Sequence, residues 1–385
     1  MNCRRAAARS AGGIYARRMA PILDLKPASE CVYDIVSLGE VMLRLDPGDH
    51  RIRTTHNFEV WDSGAEYNLA RAMSKTFGQR GAIVTAFADN EVGRLLENIM
   101  GASGLDQRFV HWVPYDGIGK TARNGLNFAE RGFGVRGAVG CVDRANTAIS
   151  QLRPEDVDLD ELFNRWGTRW FHTGGIMAGL SEQAANTTEA FMRAARDSGT
   201  VVSYDLNYRP SLWGAQGGLE RCQEVNTRLA ELADVIFGNE EDYSTCLGLP
   251  LPDDDSFTQL DVGAYEAMVD EAVRRFPNFA VVAVSLRQVR SASINDWGGL
   301  AWCDRDGFIH ATWREGLEVF DRLGGGDSFA SGIVYGLMVQ DDLRLGLEYG
   351  AANGALAMTT PGDTTTATLA EIKKLASGGS ARVQR

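Results

Sequence analysis

From about residue 160 onward, short apolar runs alternate with longer amphipathic ones, and that alternation leaves few folds open. "TRWFHTGG" has the pattern of a strand and "EQAANTTEAFMRAARDSG" that of a helix. "TVVSYDLN", "DVIFGN" and "FAVVAVSL" read as further strands, separated by the helical runs "LERCQEVNTRLAELA" and "YEAMVDEAVRRFP". The N-terminal part follows the same rule. "YDIVSLGEVMLRLD" (33–46) is a buried strand running into an extended piece, "EYNLARAMSKTF" (66–77) a helix, "GAIVTAFAD" a strand and "EVGRLLENIMGASG" (91–104) a helix. Repeated β–α units predict an α/β fold, with a mostly parallel sheet covered by helices on both faces. Two stretches break the rule, at about 44–62 and 108–138. They are rich in Gly, Arg and aromatic residues and read as antiparallel ribbon, a small sheet that would act as a lid. A hairpin, "GGLAWCDRDGFIHATW", and two helices, 326–339 and 343–358, complete the pattern. In open α/β sheets ligands bind at the carboxyl ends of the strands, where such a lid would lie.

The 385 residues are 44% hydrophobic and 23% charged, enough for a large core. Length alone allows two or three domains or a single α/β domain with an excursion, and a single domain over 31–375 is expected, after an N-terminal extension (1–30) and before a disordered tail (376–385). The Arg-rich start, "MNCRRAAARSAGGIYARRMA", fits a disordered tail, a start codon upstream of the true one at Met19, or a mitochondrial transit peptide. The net charge of −12 argues against nucleic-acid or anionic-membrane surfaces, so an anionic substrate would need local positive charge. Six scattered cysteines without a CxxC pair, and no apolar run of membrane length, predict a reduced, cytoplasmic protein. His111, His172 and His310 have no ligand partners at useful spacing and read as structural.

"DRLGGGDSF" (321–329) precedes the helical run "ASGIVYGLMV". One glycine serves a turn, and an acid alone is explained as a helix cap. Three glycines cost conformational entropy, and what they provide is bare backbone N–H groups at a helix N-terminus, an anion site. Gly324, Gly325 and Gly326 could thus wrap a phosphate. Asp327, in the first turn beside it, could take a proton from an acceptor hydroxyl, which is the chemistry of phosphoryl transfer. Two other glycine patterns lack the needed context. "GFGVRG" (132–137) falls inside a ribbon rather than between strand and helix, and "GIGKT" (117–121) has Pro114 where the first loop glycine belongs.

"DRLGGGDSF" resembles the C-terminal signature of the ribokinase-like (phosphofructokinase-B type) sugar kinases, Asp-Thr-x-Gly-Ala-Gly-Asp-x-Phe. The resemblance implies a three-layer α/β/α fold with a small β-sheet lid, ATP and Mg²⁺ as co-substrate and ion, Asp327 as catalytic base and the glycine turn as anion hole. Arg322 replaces the family's Thr, and Gly325 its Ala. "SGAEYNLARA" (63–72) is similar to the N-terminal signature, which would put Gly64 and Asn68 on the sugar. "GNEED" (238–242) is similar to Asn-x-x-Glu, implying Asn239 at the nucleotide and Asp242 at the metal through water. "AANGALAMTTPGD" (351–363) implies Asn353 near adenine. "SLRQVRSAS" (285–293) falls where a glycine-containing nucleotide loop is usual, but lacks the glycines, leaving only Ser285.

"VVSYDLNYRPSLW" (201–213) ends a buried strand with Asp205, Asn207 and Arg209 at the carboxyl edge of the sheet. Pro210 keeps Arg209 out of helical geometry, and an Arg held there could grip a carboxylate with both arms. The alternative for Arg209 is a surface pairing with one of the many acids. The segment is similar to 2-dehydro-3-deoxygluconokinases within the family, which implies a sugar-acid substrate touched by Asn207 and Arg209. The match of "DRANTAISQLRPED" (143–156) adds Arg144, whose alternative is a solvated loop position. The resemblance thus implies ATP-dependent phosphorylation of the terminal hydroxyl of 2-dehydro-3-deoxy-D-gluconate. A fructose or 2-dehydro-3-deoxygalactonate kinase and a non-catalytic sugar-binding relative are the alternatives. Exposed lid strands suggest a homo-oligomer.

Overall fold

The computed structural model describes residues 20–250 and 261–379. Its strands are β1 Tyr33–Leu38, β2 Met42–Asp46, β3 Glu59–Ser63, β4 Gly81–Ala88, β5 Val110–Val113, β6 Leu126–Glu130, β7 Val139–Asp143, β8 Thr168–Gly174, β9 Val201–Asp205, β10 Val235–Gly238, β11 Val281–Ser291, β12 Ile294–Cys303, β13 Gly307–His310 and β14 Arg314–Glu318. The main sheet runs β13-β12-β11-β10-β9-β8-β1-β4-β5, with β14 also pairing β12. From β5 to β11 every pairing is parallel, and β12 then turns back antiparallel.

Period-2 alternation sorts the central strands into two cores. Val36, Phe171, Val202, Ile236 and Val282 pack on one face, with side chains of the helices Glu182–Asp197, Gly218–Ala230 and Val262–Arg275. Their neighbours Ile35, Trp170, Val201, Val235 and Val281 pack on the other, with the helices Ala65–Lys75, Gly325–Gln340 and Leu343–Ala357. Strands buried on both faces explain the near-continuous apolar runs of the sequence. This is the expected three-layer α/β/α arrangement.

The second sheet is small, ordered β3-β2-β6-β7, and is the predicted lid. Its boundaries differ from expectation. Val110–Val113 joins the main sheet beside β4, while β7 lies beyond residue 138 and completes the lid. "GFGVRG" forms the tight turn between β6 and β7, where Phe133 and Arg136 exchange backbone hydrogen bonds. "GIGKT" wraps around the Asp116 carboxylate, which accepts the N–H groups of Ile118, Gly119 and Thr121.

Three further differences concern boundaries. Residues 287–291, which fall where the resemblance puts a nucleotide loop, continue β11 into a long hairpin with β12. A short helix, Leu369–Ala376, follows the two expected at the end and starts with a Thr368–Glu371 capping box. Residues 20–30, read as part of an extension, run along the domain. Leu23 is buried there, and the Lys26 ammonium donates to the Phe163 carbonyl and to Thr200. Residues 1–19 and 380–385, which carry the remaining terminal expectations, lie outside the described residues.

Candidate active site

β1, β8, β9 and β10 end side by side, and the connections leaving them carry acids. Glu40 follows β1, Asp205 ends β9, and Asp242 opens the helix Glu240–Leu247 after β10. The Ala65–Lys75 helix adds Glu66 and Asn68, and the Gly325–Gln340 helix adds Asp327.

The glycine turn has a steric reason. Gly324 has φ +74°, and a Cβ there would collide with the Asp363 carbonyl. Only glycine lets the loop lie against residue 363 in this left-handed geometry. Gly325 starts the helix, Gly326 is exposed, and Asp327 sits in the first turn without capping it by side chain. The cap explanation for Asp327 therefore fails. Its carboxylate instead accepts a 2.7 Å hydrogen bond from the Asn68 amide. Gly64 plays a similar steric part. It caps the Ala65–Lys75 helix at φ +148°, where a Cβ would strike the Glu40 carbonyl.

The acids hold one another's protons. Burial pushes Asp327 up to about 7; the Asn68 hydrogen bond opposes this, Glu66 and Asp363 reinforce it, and Arg209 opposes it. Burial also raises Glu66 to about 7, against the Met177 N–H that its carboxylate accepts and with help from Asp205 and Glu40. Asp205 rises to about 8, through burial and then the charges of Asp242 and Asp327, with Arg209 again opposing. Acids so perturbed and so close together have the electrostatics that proton transfer uses.

Arg209 is where its proline requires it. It is extended (φ −134°, ψ 106°) just before the short helix Pro210–Ala215, and exposed. One guanidinium nitrogen donates to the Tyr208 carbonyl, and no carboxylate lies within ion-pair distance among the described residues. The surface-pairing alternative is not what the structure has. Asn207 adopts φ +37°, sharpening the turn that brings Arg209 back over Asp205. Arg144 is only one-seventh exposed and faces buried Glu40, Nε to Oε2 3.5 Å. It is neither solvated nor free, because it offsets a carboxylate next to Glu66.

Other expected residues lie elsewhere. Asn353 is fully buried: its amide donates to the Ser328 carbonyl and Ser331 Oγ and accepts from Thr365 Oγ1. It ties two helices together and has no surface to offer adenine. Ser285 lies within β11 opposite Gly299, not in a loop. Asn239 and Asp242 form a capping box, and the Asp242 oxygens accept the N–H groups of Tyr208 and Asn239. No group of three or more His, Cys, Asp or Glu side chains is arranged to hold a metal ion among the described residues. His172 is buried against Ser203 and pushed down to about 3 by burial, and His310 meets Glu266, so both are structural.

No local sequence pattern pointed to the polar knot under the lid. Arg44, on β2 and fully buried, reaches Asp46 at 3.1 Å, Asp321 at 2.6 Å and Asp363 at 2.5 Å. Ser63 on β3 also donates to Asp363. The lid is thus bolted to both segments that shape the glycine turn. Glu66 is testable on its own. Its folded value lies above its ordinary 4.5, so the protein is stabilised below about pH 4.5 and loses that contribution as pH rises through about 7. Glu66→Gln should therefore raise Tm at pH 8 by several degrees, on the order of 3 kcal/mol, and change it little at pH 4.5. Thermal melts at the two pH values check this; equal shifts at both would refute it.

Comparison with known proteins bears on the fold and the family. The crystal structure of a 2-dehydro-3-deoxygluconokinase from Thermotoga maritima superposes with a TM-score of 0.81 at 32% identity, covering 89% of this chain and 98% of that one. A 2-dehydro-3-deoxygalactonokinase from Haloferax volcanii is 28% identical over 91% of this chain and 99% of its own length. A 5-dehydro-2-deoxygluconokinase from Clostridium perfringens is 23% identical over 85% and 88%. The model of the pfkB family carbohydrate kinases matches residues 33–369, so the chain belongs to that family and is a carbohydrate kinase with the ribokinase-like fold.

Proposed function

We propose that the protein transfers the terminal phosphoryl group of ATP to the terminal hydroxyl of 2-dehydro-3-deoxy-D-gluconate, giving the 6-phosphate and ADP. The observation that carries this reading is the Asp327 carboxylate, held by Asn68 at the start of a glycine-led helix, with an Arg209 free of ion pairs nearby. Asp327 takes the hydroxyl proton as the oxygen attacks. The N–H groups of Gly325 and Gly326 receive the charge of the phosphoryl group in flight. Arg209 holds the substrate carboxylate. Asn68 and Gly64 line the sugar side, and Arg144 acts at one remove by offsetting Glu40. A magnesium ion would be held by Asp242 through water beside the nucleotide's phosphates. It would neutralise phosphate charge.

The named activity of the Haloferax relative favours a second reading, the galactonate epimer. An ADP-release assay over both epimers, 5-dehydro-2-deoxygluconate and fructose decides between them. Turnover of fructose alone would end the sugar-acid reading. Arg209→Ala should raise KM for the sugar acid about 10- to 100-fold with little change in kcat, the loss of one charge-assisted contact. An unchanged KM would remove Arg209 from the carboxylate site.

A further inference from the structure

Arg322 opens the glycine turn, two residues before Gly324. Most arginines of this acid-rich chain have a carboxylate within 4 Å, as do Arg80, Arg169 and Arg305. Arg322 is exposed and makes no ion pair or side-chain hydrogen bond among the described residues. Its charged neighbour is a second cation, Arg287, which likewise makes neither. Partial burial and then the proximity of Arg322 both lower the Arg287 guanidinium's hold on its proton, while Glu240 raises it.

Register explains how two separate elements bring these groups together. Arg287 on β11 stands directly opposite Trp297 on β12, and opposed residues share a face of the sheet. Trp297 packs edge-on against Phe329, ring centres 6.0 Å apart, and donates to the Ala351 carbonyl. Phe329 is two residues past Asp327, so Arg287 stands on the face that carries the glycine-led helix. Arg322 comes from the other side. The N–H groups of Phe320 and Asp321 both donate to the Met358 carbonyl, and Asp321 is fixed by Arg44. That anchored root leaves Arg322 as the first exposed side chain before the turn. Two neighbouring guanidiniums repel each other, and an anion bound by both converts the repulsion to attraction.

We infer that Arg287 and Arg322 form a clamp for the nucleotide's polyphosphate, holding the phosphates behind the one that Gly324–Gly326 and Asp327 transfer. The inference rests on the kinase reading above and deepens it. The clamp does the work of the glycine-containing loop absent from 285–293, using two side chains in place of backbone N–H groups. It also gives Arg322 a purpose that a threonine could not serve.

Calorimetric titration with ADP, AMP and adenosine tests the clamp without any sugar, so it stands or falls apart from the acceptor assignment. Arg287→Met and Arg322→Met should each weaken ADP binding about 10- to 100-fold, AMP less, and adenosine not at all. Arg322→Lys should recover part of the loss. In turnover, KM for ATP should rise while KM for the sugar acid stays constant. Variants that bind ADP like wild type overturn the inference. So do variants that lose ADP and adenosine equally with a lowered Tm, which would mark a structural role, and so does a wild-type protein that binds no ADP. A wild-type protein that binds ADP through both arginines but phosphorylates no sugar acid would support the clamp and refute the substrate.

Discussion

Asp327→Asn is expected to lower kcat by about 10³-fold while leaving the affinity for the sugar acid almost unchanged. The reason lies in what the substitution keeps. The Asn68 amide donates to the Asp327 carboxylate at 2.7 Å, and an asparagine oxygen accepts the same bond. The first turn of the helix stays put, the glycine N–H groups still face the phosphate, and the only thing removed is a group able to take a proton. The pH profile gives an independent sign. Asp327 is pushed up to about 7 before substrate binds, and only its ionised form acts as a base. In the wild type kcat/KM should therefore rise with pH through about 7, and the residual activity of Asp327→Asn should lack that limb. Asp205, at about 8, could be mistaken for the source of the limb. Asp205→Asn tells them apart. Asp205 still holds its proton while Asp327 ionises, so replacing it with the neutral Asn should leave the limb near pH 7. Near-normal turnover by Asp327→Asn, or an unmoved limb in its profile, would sink the base assignment.

What was legible in the sequence follows from distance along the chain. The glycine turn and Asp327 are contiguous, and their chemistry is contained in nine residues. The two-faced core was legible because each central strand declares itself by an apolar run. Arg209 was legible because Pro210 restricts the residue before it, whatever the rest of the fold does. The misreadings have physical causes too. Val110–Val113 is a four-residue edge strand among glycines and arginines, too short to stand out from the ribbon around it. Residues 287–291 are mostly polar because β11 has left the core after the buried Leu286, so its outer half looks like a loop. Asn353 was placed by resemblance alone, and no local pattern distinguishes a buried amide joining two helices from one facing a cleft. The acid cluster was half visible: Asp205 ends a strand, but Glu40 and Glu66 acquire meaning only when β1 and the Ala65–Lys75 helix meet.

The knot at Arg44 was wholly hidden, since its partner Asp363 lies 319 residues away. Arg44→Met should be the most destabilising single change outside the apolar core, costing about 3–5 kcal/mol. The methionine fills the space of the arginine stem but leaves Asp46, Asp321 and Asp363 without their shared cation in a buried site. Burial already raises Asp321 against the pull of Arg44, and without that pull it must fold protonated or not at all. The deficit in Tm should accordingly be large at pH 8 and shrink toward pH 5, as the folded aspartates take up the protons they demand while the unfolded ones stay ionised. Turnover should fall beyond what lost stability explains. Asp321 begins the glycine turn, and the carbonyl of Asp363 is what Gly324 packs against, so loosening either shifts the N–H groups aimed at the phosphate. Displacements of about 1 Å at such a site cost on the order of 10²-fold in rate. Measured at a temperature where the variant is fully folded, kcat should drop by about that factor, with ADP affinity falling too because Arg322 shares the loop. A variant that melts like wild type at pH 8 would mean that Arg44 merely fills space, and that the lid and the glycine turn are positioned independently.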